Sequence, residues 1–78
     1  MGIHIGDTVV FDPQIKGDKL RFAEGVPAVV VLTINYDIYR VEYTDPGIIQ
    51  RIHMTTGEER DYLKLSENEL RVIKRKEE

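Results

Sequence analysis

The chain contains no cysteine, which excludes a disulfide framework and any thiolate metal site. A small domain without disulfides fits a reducing compartment, so a cytoplasmic location is expected. Serine occurs once, as Ser66. There is accordingly no G-x-S-x-G nucleophile, and no glycine cluster leads into a helix as a phosphate loop requires. Long apolar runs are also missing. The longest spans residues 26–32, far too short to cross a bilayer, and the first residues lack the basic-then-apolar pattern of a secretory signal. No membrane partner is expected. Positive charge is not in excess either: 11 Lys and Arg stand against 14 Asp and Glu, for a net charge of -3. Nucleic-acid binders normally present a basic face, because phosphate contacts dominate their affinity.

What remains is the composition of a globular domain, 41% hydrophobic and 32% charged. A length of 78 residues suffices for one domain over residues 1–78, with 74–78 as a flexible charged tail. Most of the chain reads as short strands. Ile3 to Phe11 is a strand interrupted at Gly6-Asp7. Residues 12–25 form a long loop, with Leu20 and Phe22 folding back onto the core. Residues 27–35 form the most apolar strand, and residues 38–44 alternate, with Tyr39, Val41 and Tyr43 on one face and Arg40, Glu42 and Thr44 on the other.

Asp45-Pro46-Gly47 has the chemistry of a turn. It is expected to lead into a strand over 48–55 that Thr56-Gly57 folds back into a hairpin partner over 59–65. Ser66 can cap a short helical turn, with Glu69 three residues on as in a capping box, before a last strand over 70–73. Five or six short strands and one helical turn point to an all-β fold, a single small barrel whose closure removes exposed edges.

The order of features resembles the Tudor family of SH3-like barrels. The resemblance runs through Ile5-Gly6-Asp7-x-Val9, Pro27-Ala28-x-Val30, Tyr39-x-Val41-x-Tyr43-x-Asp45-x-Gly47 and Glu69-Leu70, and covers roughly residues 3–73. It implies a small SH3-like barrel that binds a partner. Other SH3-like barrels, KOW-type modules among them, share these motifs. Tudor domains hold methylated side chains in an aromatic cage by cation–π attraction. Tyr43 matches a cage aromatic, while Pro27, Pro46 and Ile48 stand where other cage and turn side chains are expected. Plasmid-encoded R-type dihydrofolate reductases are similar in size and fold. The segment Pro46-Gly47-Ile48-Ile49-Gln50 shares their turn and one glutamine, but no tyrosine follows in register.

Side-chain chemistry points away from catalysis. His4 and His53 lack metal-ligand spacing, and each is expected on the solvated side of a strand. Most carboxylates fall in turns, where Asp bonds local backbone. No catalytic residue, metal ligand or cofactor is expected. The expected partner-binding residues are Phe22, Tyr36, Tyr39, Tyr43, Tyr62 and Arg40, since tyrosines supply rigid amphipathic contact area; the phenylalanines and the Tyr39–Tyr43 face serve equally well as core. The leading functional expectation is a small non-catalytic binding or adaptor module. It would meet a protein partner through the loop over 12–26 and the turns at Asp37 and Asp45–Gly47, and it could assemble as a homo-oligomer. A nucleic-acid-binding barrel, with Lys16, Lys19, Arg21, Arg71 and Lys74 as a basic stripe, and an oligomeric enzyme are the alternatives.

Overall fold

A computed structural model of the chain describes residues 2–15 and 17–76. Five strands form one antiparallel sheet: β1 (Thr8–Phe11), β2 (Ala28–Thr33), β3 (Ile38–Glu42), β4 (Tyr62–Ser66) and β5 (Leu70–Lys74). One helix, α1 (Pro46–Thr56), lies between β3 and β4, and 3-10 turns cover Arg21–Ala23 and Glu67–Glu69. The strand order is β4-β3-β2-β1-β5, so the last strand returns to lie beside the first.

This order forces the sheet to curl. If the five strands lay flat, the outer pair would be separated by four spacings, ~19 Å. Yet β4 connects to β5 through a three-residue 3-10 turn, which advances only ~2 Å per residue. The end of β4 and the start of β5 are therefore brought close by a bent sheet, although no ladder joins these two strands among the described residues. Two register shifts assist the bend, one at Val31 of β2 and one at Ile73 of β5, opposite Thr8 and Val9, because an extra residue on one strand raises its local twist.

The concave face is the core. Tyr39 and Val41 of β3 oppose Leu65 and Leu63 of β4, and all four are buried together with Val9, Phe11, Val30, Tyr43 and Ile52. The alternation read over residues 38–44 places these side chains correctly. The long loop is also largely folded in. Ala23 is fully buried, Leu20 and Phe22 pack against the core as expected, and the Gly25 amide donates to the Phe11 carbonyl at 3.0 Å.

Residues 46–56 correct the expected strand over 48–55 and its hairpin. Asp45 caps a helix: its Oδ1 accepts from the amides of Gly47 (2.8 Å) and Ile48 (3.2 Å). Pro46 occupies the first helical position, where its missing N–H costs nothing and its fixed φ suits the helix. Ile48, Ile49 and Ile52 then share one face, with Ile52 fully buried. Gly57, at φ 76°, ends the helix and donates to the His53 carbonyl at 2.8 Å, a left-handed cap that favours glycine. The outer partner of β3 is thus β4, reached through α1. The expected capping box at Ser66 does not form either, since its hydroxyl turns to the side chains of Asn68 and Glu69.

The interrupted first strand is likewise shorter than expected, because Gly6 turns the chain with φ 97°. Its amide donates to the Val30 carbonyl at 2.8 Å, and a Cβ there would collide with the Lys76 side chain. No helix among the described residues is long and apolar enough to cross a membrane.

Candidate functional site

The six expected contact residues part company in space. Tyr39 and Tyr43 belong to the core, because their face of β3 is the concave one; this corrects their placement at a contact surface and removes Tyr43 as a cage aromatic. The Tyr43 hydroxyl is buried with no hydrogen-bond partner, and burial pushes its pKa up to about 12. The Tyr39 phenol is also raised, first by desolvation and then by the nearby charges of Glu67 and Asp37. Phe22 is half-buried against the core, with the Arg51 guanidinium 5.0 Å from its ring centre.

Tyr62 and Arg40 do come together. They lie on the convex face of β4 and β3, two register positions apart, a diagonal pair on one face. The Arg40 guanidinium sits 3.8 Å from the Tyr62 ring centre, and that of Arg60 sits 4.9 Å from it. Arg40 also donates to Glu42 at 3.4 Å. With both guanidiniums over its ring, Tyr62 is already engaged in cation–π contact within the chain.

Tyr36 stands alone among the six, at 97% exposed on the tip of the β2–β3 hairpin. The tip is tightly built: the Ile34 amide donates to the Ile38 carbonyl at 2.8 Å, and the Asn35 side chain accepts from the Asp37 amide. Leu32 and Ile34, two residues apart on the arm leading to it, are also exposed, as is Val29 on the same strand. Leu32 opposes Arg40 across β2 and β3, so it belongs to the convex face. The sequence reading singled out Tyr36 but not these aliphatic neighbours. The missing alternation of residues 27–35 suggested burial on both faces, whereas the irregularity at Val31 turns Leu32 outward.

A second constellation was not anticipated. Asp7 is almost fully buried, and its carboxylate accepts from the His4 amide (2.9 Å), the Lys76 amide (3.0 Å) and Arg75 Nη1 (2.9 Å). These contacts hold its pKa below the usual carboxylate value, the His4 and Lys76 amides most strongly, with desolvation opposing them and Arg75 adding to them. Arg75 and Lys76, expected in a flexible tail, are thereby fastened to the start of the chain; residues 77 and 78 lie outside the described residues. His4, exposed, stands before β1 rather than in a strand, and its Nδ1 is 3.4 Å from Arg75. His53 is on α1. Among the described residues no group of three or more His, Asp or Glu could hold a metal ion.

The Asp7 cluster has the form of a structural tie, with both carboxylate oxygens engaged, whereas the hairpin carries exposed apolar side chains. Compared with protein-family models, with curated proteins and with solved structures, the chain matches none of them.

Proposed function

We propose that the chain is an SH3-like barrel that serves as a small, non-catalytic binding or adaptor module and meets a protein partner through the β2–β3 hairpin. The return of the last strand to the first, with a 3-10 turn before it, supports that architecture. A single observation carries the function: Leu32, Ile34 and Tyr36 are exposed together on one tightly hydrogen-bonded hairpin. Isolated exposed apolar residues are ordinary on protein surfaces, but a run of them ending in a bare tyrosine has the chemistry of an interface. A rigid hairpin also loses little conformational entropy on docking. A cysteine-free chain of this size suits a reducing cytoplasm.

The test compares capture from the native host by the wild type and by a Leu32→Ser/Tyr36→Ser variant. A partner retained by the wild type and lost by the folded variant is the expected result. Equal capture by both discards the hairpin as the contact surface. Light scattering of the purified protein separates a second copy of the chain from a foreign partner.

A further inference from the structure

On the far side of β4 from β3, a cleft of about 310 Å3 opens between the long loop, the end of α1 and the edge strand. Lys19, Arg60 and Lys64 line it, with Thr55 and Thr56 beside them, and among the described residues no carboxylate does. This concentration of positive charge occurs in a chain of net charge -3. Among the described residues neither Lys19 nor Lys64 has a carboxylate within ion-pair distance. Arg60 pairs with the well-exposed Glu58 at 3.3 Å and lies 4.9 Å from the Tyr62 ring centre, and its Nε is buried without a hydrogen-bond partner. Lys64 also lies directly opposite Arg40 across the sheet, an arrangement of like charges that destabilises a strand pair. Arg40 has turned onto Tyr62 and onto the Glu42 carboxylate, so Glu42 pairs with Arg40 and not with Lys64.

We propose that this cleft binds a phosphate group, the dianion of a phosphomonoester. Two lysines act as point charges and Arg60 supplies a planar donor fork, a combination suited to phosphate oxygens. The C-terminal end of α1 opposes an anion with about half a negative charge. That charge is partly quenched, because the Ile52 carbonyl accepts from the Thr56 hydroxyl (2.7 Å) and the His53 carbonyl from the Gly57 amide (2.8 Å). Three full positive charges outweigh it. The simplest competing account is that the cations only neutralise the helix end, and it makes a different prediction.

The experiment is an amide-resolved NMR titration with inorganic phosphate, against sodium chloride at matched ionic strength. It uses the wild type, Lys19→Gln/Lys64→Gln and Lys19→Arg/Lys64→Arg; both lysines are exposed, so folding is not at stake. The expected result is saturable shifts at the Thr55, Thr56 and Lys64 amides with phosphate only. Affinity should fall at least tenfold in the glutamine variant and recover in the arginine variant. Identical shifts in chloride and phosphate overturn the proposal, as does phosphate binding unchanged by the glutamines. A Tm lowered equally by the glutamines in both salts, with no phosphate-specific shift, assigns the cations to the helix end instead. Repeating the titration with O-phosphoserine and with adenosine 5′-monophosphate assigns the source, the tighter ligand marking a phosphorylated side chain or a nucleotide. None of the hairpin residues is involved, so failure here leaves the protein-binding reading intact.

Discussion

Two apolar segments of this chain meet opposite fates. The segment over 45–57 carries Ile48, Ile49 and Ile52, and α1 turns all three inward, with Ile52 fully buried. The β2–β3 hairpin carries Leu32, Ile34 and Tyr36, and all three face water. Both segments are rich in β-branched or aromatic residues, and hydrophobicity alone would send both inside. The helix brings side chains three and four residues apart onto one face, and that face finds the open side of a curled sheet. The hairpin instead extends past the sheet's curl, so its outer side chains have nothing to cover them. Burial at the first region maintains the fold. Exposure at the second costs the fold little and is available for contact.

The sharpest way to break this contrast is Ile52→Ala. Removing a fully buried isoleucine from the helix face should cost ~2–5 kcal/mol, most of the stability of a domain this small, read as a lower midpoint in urea. A loss below 1 kcal/mol, on the scale of an exposed site, would mean α1 is not docked as described. A smaller loss is expected on acidification. The Asp7 carboxyl titrates below its unfolded value of 3.8. Its contribution is therefore present above that pH and is lost as the pH falls through the lower folded value. Asp7→Asn should be less stable than the wild type at neutral pH and lose less on going to acid, measured as Tm against pH; parallel curves would deny the tie between the chain's two ends.

Asp45→Ala tests the start of the helix. Loss of an N-cap carboxylate accepting two amides should cost ~1 kcal/mol, with a matching drop in helical ellipticity near the transition. Tyr43→Phe carries the opposite sign. Its hydroxyl is buried without a partner, so its removal should be neutral or stabilise by up to ~1 kcal/mol. Because the folded phenol is raised to about 12, the wild type loses stability as the pH rises from its unfolded value of 10 towards that figure, and the phenylalanine variant should lose less. Destabilisation by Tyr43→Phe at neutral pH would reveal a partner for the hydroxyl. The smallest effect belongs to the hairpin. Tyr36→Ala should shift stability by no more than ~0.5 kcal/mol while weakening partner capture. A large loss of stability would move the hairpin into the same class as α1.

The helix was partly legible and was misread for a definite reason. Asp45-Pro46-Gly47 suits a turn and an N-cap equally, since both use the aspartate side chain on local amides and the fixed φ of proline. The isoleucines that follow have strand propensity, and the pattern 48, 52, 54 is even-numbered as a strand would require. The deciding signals were the pairing of Ile48 with Ile52 four residues on and Gly57 at the far end, where a left-handed cap ends a helix. Strand β3 was easier, because strict alternation leaves one assignment of its faces. At the candidate surface only Tyr36 was legible. Leu32 became visible once the shift at Val31 reversed the facing of the residues beyond it. Arg75, 68 residues from Asp7, gave no local sign of its destination.

From the amino acids alone came the strand-rich class, the inward face of β3, the folded-back Leu20 and Phe22, the bare tyrosine at a tight hairpin and the glycine at a sharp bend. Each rests on dihedral preference, side-chain period or hydrogen bonds reaching a few residues, and those forces are written in short stretches of chain. The curl of the sheet, the burial of Tyr39 and Tyr43 in place of a cage, the clasp on Asp7 and the convergence of Lys19, Arg60 and Lys64 were decided by register between strands and by the docking of α1. Such contacts join residues far apart in sequence, and their energies exist only when the whole chain has closed upon itself.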